Sequence, residues 1–238
     1  MAVISFVSSK GGVGKTTSAV VLAGELVAAG RKVALIDADP NRPLVAWSQL
    51  RPVPESLRLI VDDSAETIID TIEDARAEAD FVIVDLEGTA TDRVGFAVAR
   101  SDLVLIPLQS SVLDAAEAAK SVKLVRQMWK VANREIPYRV FFTRVPPAIR
   151  ERTARDIERQ FTGAAVPVLP ATLIDRAAYR TLFSLGGTLH ELEAADVSGL
   201  ETAKENAREY AQAVINAIRE GPQHDRRRQE TRDARLWR

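Results

Sequence analysis

Along this chain, apolar runs of strand length alternate with segments whose apolar residues recur at helical spacing. The runs at 2–7, 33–36, 57–61, 81–85, 103–107, 138–142 and 166–169 read as strands. Helical patterns occupy 15–29, 44–50, 65–79, 113–132, 149–161, 174–183 and 200–218. The long pattern at 113–132 carries Val122, Val125 and Trp129 among its apolar positions. Gly30 stops the first helix, and Gly221-Pro222 closes the last. Strand–helix alternation of this kind predicts an α/β fold, a mostly parallel twisted sheet with helices on both faces. Neither an internal repeat nor a dividing linker interrupts it, so 1–220 reads as a single domain. Residues 221–238 form a polar, Arg-rich tail that is expected to be disordered.

Between the first strand and the first helix lies Ser8-Ser9-Lys10-Gly11-Gly12-Val13-Gly14-Lys15-Thr16-Thr17. Strand, glycine loop and helix are the context a phosphate-binding loop needs. Glycines let the backbone curl so that several N–H groups face one anion, and the helix N-terminus adds partial positive charge. Lys15 is expected on the β- and γ-phosphates, and the Thr16 hydroxyl on Mg²⁺. Residues 10–17 therefore form the expected nucleotide-binding stretch: Lys10, Gly11, Gly12, Val13, Gly14, Lys15, Thr16 and Thr17. The usual GxxxxGK[ST] spacing would place glycine at position 9, where Ser9 stands. A second lysine, Lys10, precedes Lys15 by five positions, too far along the loop to duplicate it on the same phosphate.

Aspartates at strand ends are where such enzymes hold Mg²⁺ and position water. Asp37, Asp39 and Asp85 each follow an apolar run. A carboxylate after four apolar residues is costly to bury and calls for a charged or metal partner. For any one of them, a helix cap or a loop salt bridge is the competing explanation. Asp37, Asp39 and Asp85 are therefore the candidates for holding the metal beside Thr16 and for positioning water. Glu87 reads as a solvated loop residue in preference to a further water-binding carboxylate.

Composition narrows the chemistry. The 238 residues suffice for one large domain with a substantial core. A formal net charge of −1 excludes a globally basic nucleic-acid binder, so any DNA affinity must come from local patches. The absence of cysteine removes disulfides, thiol catalysis, Cys-ligated zinc and iron–sulfur clusters. Neither a secretory signal pattern nor a long apolar stretch is present, and the expectation is a soluble, cytoplasmic protein of a prokaryote or its plasmid.

The segment KGGVGKT resembles the deviant Walker A motif of the ParA/MinD family of P-loop ATPases. That resemblance implies a P-loop NTPase fold, ATP and Mg²⁺ as cofactors, and a homodimer formed around two nucleotides. It further implies that Lys10 acts in trans, on the partner's ATP. Asp37-Ala38-Asp39-Pro40-Asn41 is similar to the family's DxDPQ segment, which implies that Asp39 orients the attacking water and Asp37 holds a water on Mg²⁺. Asp85 matches the Walker B aspartate, but Leu86-Glu87-Gly88-Thr89 replaces the family's usual proline-stiffened segment. An asparagine that reads adenine in many relatives is replaced by Phe142-Thr143-Arg144-Val145-Pro146-Pro147, so Thr143 and Pro146 are assigned to the base through main-chain groups. Asp-Ala-Asp-Pro-Asn-Arg-Pro-Leu, Trp47 and the Arg144-Val145-Pro146 segment look most like VirC-type relatives, with small plasmid-partition ParA proteins next.

The resemblance implies a slow, partner-stimulated ATPase that binds nonspecific duplex DNA as a dimer. It would position or segregate a DNA cargo in plasmid partition or conjugative transfer, with a ParB-like or relaxosome partner and a nucleoid-associated location. Arg152, Arg155 and Arg159 share a stripe of the predicted helix 149–161, and Arg176 and Arg180 form a second i, i+4 pair; these are the candidate DNA contacts, with the tail arginines as the alternative. Membrane targeting would need a terminal amphipathic helix, for which the tail offers little apolar surface. Two other readings remain open: a MinD-like positioner of a protein cargo, and a metabolic P-loop enzyme of the dethiobiotin-synthetase kind.

Overall fold

A computed structural model describes residues 1–88, 91–145 and 152–221. Seven parallel strands form one sheet in the order β3-β2-β4-β1-β5-β6-β7. They are β1 (Ala2–Phe6), β2 (Val33–Ala38), β3 (Leu57–Val61), β4 (Phe81–Leu86), β5 (Leu103–Leu108), β6 (Tyr138–Val145) and β7 (Leu173–Ile174). The helices are α1 (Lys15–Ala28), α2 (Pro43–Ser48), α3 (Ile68–Glu78), α4 (Asp92–Arg100), α5 (Val112–Ala132), α6 (Arg152–Gly163), α7 (Ala177–Leu185) and α8 (Leu200–Glu220).

The period of two along each strand sorts the core into two layers. Ile4, Phe6, Val33, Leu35 and Ile83 pack with α1, α2, α7 and α8. Val3, Ala34, Ile36, Val82 and Val84 pack with α3, α4, α5 and α6 on the opposite face. Continuing that alternation puts Asp37 and Asp85 on the α1 face of the sheet, where the glycine loop also lies. The two aspartates are register partners on adjacent strands β2 and β4. Winding reverses at β1, which sits between β4 and β5, so the loops after β1 and β5 flank the crevice where ligands bind in open α/β sheets.

Most expected elements occur, with four departures. β2 and β4 run past Asp37 and Asp85, so both carboxylates lie within strands and are fully buried, not at the first loop position. α4 was not among the expected elements, although Val94, Ala97 and Val98 recur at helical spacing and form its buried stripe. The expected strand at 166–169 shrinks to one bridge between Val140 and Val168. The expected helix at 174–183 begins only at Ala177, because Leu173–Ile174 pairs with β6 as the edge strand.

Candidate nucleotide site

Gly14 caps α1 at φ 98°, and Gly12 has φ 73°, both in the left-handed region that favours glycine. No side chain caps this helix end. Its first-turn N–H groups therefore face the loop, where an anion can satisfy them. Gln109 Nε2 donates to the Gly12 carbonyl at 3.2 Å, and Thr143 Oγ1 donates to the Val13 carbonyl at 2.6 Å. The curl is thus held from β5 and β6. Thr143 is buried and supports the loop backbone with its hydroxyl.

Lys15 is 7% exposed. Burial lowers its pKa, opposed by the charges of Asp85, Asp39 and Glu87. The Thr16 hydroxyl donates to Asp85 Oδ2 at 2.6 Å. Asp85 is fully buried, and its second oxygen, Oδ1, has no hydrogen-bond partner among the described residues. Burial pushes its pKa up to about 7; the Thr16 bond and Lys15 oppose this, and Asp37 and Asp39 add to it. A buried carboxylate with a free oxygen, beside a hydroxyl and a second carboxylate, is an oxygen donor set of the kind Mg²⁺ takes, usually keeping several waters. The residues present therefore fit the ion. Among the described residues, no group of three or more His, Cys, Asp or Glu forms a closed metal cage. That accords with a cation held jointly with phosphates.

Asp37 also does structural work. Its Oδ2 accepts from the N–H groups of Leu44 (2.9 Å) and Val45 (3.0 Å), capping α2, and its Oδ1 has only a 3.4 Å contact from Asp39 N–H. Burial raises its pKa, and these backbone bonds pull the other way. Asp39 stands where the chain leaves β2, half-exposed, with Oδ1 accepting from Asn41 N and Nδ2, both at 2.9 Å. Glu87 is not a solvated loop residue: it accepts from Arg93 Nη2 at 2.6 Å and from Thr91 Oγ1 at 2.7 Å. Arg93 is itself buried and reaches the Asp63 carbonyl, tying the loops after β3 and β4 together.

The first half of the glycine loop is fastened to α5. Lys10 Nζ lies 2.6 Å from Asp114 Oδ1, and Ser9 Oγ donates to the Glu117 carbonyl at 2.9 Å and its carboxylate at 2.8 Å. Ser9 N–H donates to Ser121 Oγ at 3.2 Å. Ser9, which breaks the usual glycine spacing, is thus an anchor. Asp114 and Glu117 were not among the sequence candidates. The Ser111-x-x-Asp114 spacing, a capping pattern, was the available signal, and Ser111 Oγ does accept from Asp114 N–H at 3.1 Å.

Next to the loop opens a cavity of about 510 Å³, lined by Gly14, Thr17, Arg144, Asp175, Tyr179 and Phe183 among others. It has the size and position for a nucleoside beside the phosphates. Pro146 lies outside the described residues. Of the candidate DNA contacts, Arg159 is exposed and pairs with Asp156 at 3.3 Å. Arg152 and Arg155 fall in α6, but their side chains lie outside the described set. Arg176 and Arg180 do not form one helical stripe: Arg176 is the extended N-cap of α7, and Arg180 pairs with Asp175 beside the cavity. The tail arginines lie outside the described residues. No described helix is long and apolar enough to cross a membrane.

The VirC1 protein family profile matches residues 1–221. A Rhizobium radiobacter protein described as protein ParA is 38% identical over 220 residues, covering 92% of this chain and 99% of that protein. Protein VirC1 of Rhizobium rhizogenes is 30% identical over 191 residues, covering 78% and 82% of the two chains. The crystal structure of a plasmid partition protein from Borrelia burgdorferi B31, described as putative and bound to AMPPNP, superposes with a TM-score of 0.65 at 18% identity, covering 90% of this chain and 98% of that one. At that identity the likeness speaks for the fold.

Proposed function

The chain belongs to the VirC1 family, among the ParA/MinD-type proteins, and on that premise we propose an ATP-driven switch that places a DNA cargo. Two subunits close on two ATP molecules, the dimer binds duplex DNA without sequence preference, and hydrolysis reopens it. The location is the cytoplasm, on the nucleoid. The cargo belongs to plasmid partition or conjugative transfer, and a ParB-like or relaxosome protein stimulates an intrinsically slow turnover.

The observation that carries this reading is the grouping of Lys15, Thr16 and Asp85 at one helix N-terminus, with a second lysine on the same loop. Loop N–H groups and Lys15 bind the β- and γ-phosphates. Thr16 and Asp85, with Asp37 beside them, would hold Mg²⁺, which neutralises charge between the phosphates when bound. Asp39, at the exit of β2, orients the attacking water. Lys10 leaves its own subunit's Asp114 and neutralises the partner's nucleotide. Phosphoryl transfer depends mostly on positioning and charge, so a site lacking one cation until dimerisation turns over slowly by itself.

Light scattering tests the reading. With Mg²⁺ and a non-hydrolysable ATP analogue, wild type is expected to double its mass and Lys10→Ala to remain a single subunit while still binding nucleotide. A wild type that stays monomeric at high concentration overturns it.

A further inference from the structure

Helix α5 carries a row of cations that the sequence reading did not assign. Lys123, Arg126 and Lys130 are exposed and lie at i, i+3 and i+7, one side of the helix. With Gln127 they form the α5 wall of a groove of about 370 Å³. Ala119, Val122, Ala164 and Val166 complete its lining, and among the described residues no carboxylate lines it. On α6, Asp156 pairs with Arg159, and Glu158 lines the neighbouring cavity instead. Among the described residues neither Lys123 nor Lys130 makes an ion pair, whereas Lys120, one turn before, is held by Glu117.

Arg126 is fixed in place. Its Nε and Nη2 donate to the Tyr138 hydroxyl at 3.2 and 2.8 Å, and its guanidinium sits 5.8 Å from the Tyr138 ring centre. The middle cation of the row is thus pre-ordered, while the two lysines flank it on flexible stems. In a chain whose net charge is −1, three cations on a groove with no carboxylate among its described residues are a local concentration, not a consequence of composition. Seven residues of helix span about 10.5 Å. That reaches about two successive phosphates of one DNA strand, which wind around the duplex and so lie farther apart than their axial rise of about 3.4 Å. The small lining residues leave room for a sugar–phosphate chain. The row begins nine residues past Asp114, about 13.5 Å along α5 from the nucleotide end, so it stays clear of the face on which Lys10 would meet a partner.

We propose, resting on the DNA-binding reading above, that the α5–α6 groove is a phosphate-backbone contact of this protein, with Lys123 and Lys130 as its neutralising charges. The partner is duplex DNA, bound without base readout. Dimerisation presents the row twice, so four lysines take part.

Fluorescence anisotropy on a labelled random-sequence duplex tests this, using full-length protein with Mg²⁺ and a non-hydrolysable ATP analogue. The variant is Lys123→Ala/Lys130→Ala; both positions are exposed, and its melting and nucleotide-dependent dimerisation are checked against wild type. The expected result is an affinity loss of at least about tenfold near 150 mM salt, with the log–log salt slope shallower by about 3.6 for the four lysines. Lys123→Arg/Lys130→Arg should retain binding. If the alanine variant dimerises and binds DNA with unchanged affinity and slope, the contact lies elsewhere and the groove assignment falls while the DNA-binding reading stands. If wild-type dimer does not bind duplex DNA, both fall together.

Discussion

Lys10 Nζ and Asp114 Oδ1 stand 2.6 Å apart across the crevice between β1 and β5 of one subunit. Asp114 is nearly buried and its carboxylate receives a further hydrogen bond from the Ser111 hydroxyl, whereas the lysine side chain is 43% exposed. In the free subunit the second loop lysine is therefore docked on its own helix. To reach another subunit's nucleotide it must leave a carboxylate that stays behind. Asp114→Asn keeps an oxygen for Lys10 but removes the charge. A half-exposed pair of this kind contributes about 1 kcal/mol or less. Two such pairs break per dimer, so nucleotide-dependent dimerisation of Asp114→Asn is expected at up to about thirtyfold lower protein concentration, read by light scattering. A variant that dimerises only at higher concentration would mean that Asp114 supports the dimer.

The Asp85 carboxyl gives the metal-free protein a pH signature. Its folded pKa, about 7, lies above the ordinary 3.8, so between those values the native state holds a proton the unfolded chain has released. Stability contributed at low pH is therefore lost as pH rises from about 4 through 7, by at most about 4 kcal/mol. Asp37, also raised, acts in the same direction. Mg²⁺-nucleotide needs the ionised form, so its binding strengthens over the same window. Thermal melting from pH 5 to 8 should show a falling midpoint without ligand and a flatter one with Mg²⁺ and AMPPNP. Asp85→Asn should abolish most of the unliganded slope.

Among the described residues, Thr16 makes the one hydrogen bond to Asp85 Oδ2, and Oδ1 has none. Thr16→Ala leaves both oxygens of a buried carboxylate without that support and removes a metal-binding hydroxyl. Mg²⁺-nucleotide affinity is expected to drop at least about tenfold, as for loss of a group that orients a ligand carboxylate. Calorimetry with AMPPNP, with and without Mg²⁺, separates the two contributions: the loss should be larger when Mg²⁺ is present.

Trp47 ties α2 to the distant segment after α7. It is 1% exposed, and its Nε1 donates to the Gly187 carbonyl at 3.1 Å. Gly186 and Gly187, both at φ 73°, approach Leu50 and Arg51 so closely that a side chain on Gly186 would meet them at about 2.8 Å. Trp47→Ala should cost about 3–5 kcal/mol in urea unfolding, from the cavity and the orphaned carbonyl. The native fraction should still bind nucleotide. A loss below about 1 kcal/mol would show that α2 is not packed as described.

Much of the site was legible because its signals are local. Gly12, Gly14, Lys15 and Thr16 lie within five residues, and each has a role set by backbone curl or helix end. The apolar runs before Asp37 and Asp85 marked both as strand-end carboxylates, although each lies within its strand. Glu87 was misread because its partner, Arg93, belongs to a helix that was not among the expected elements. Arg176 was misread because an edge strand took up the start of the expected helix.

From the amino-acid order alone came the alternation of strands and helices, the phosphate loop, and the carboxylates that end apolar runs. Folding decided which of these groups meet. Thr16 and Asp85 are 69 residues apart, and Lys10 and Asp114 are 104 apart. They touch because β1 lies between β4 and β5. Strand order is settled by the competition of whole faces for burial, a long-range balance that no short window of residues contains.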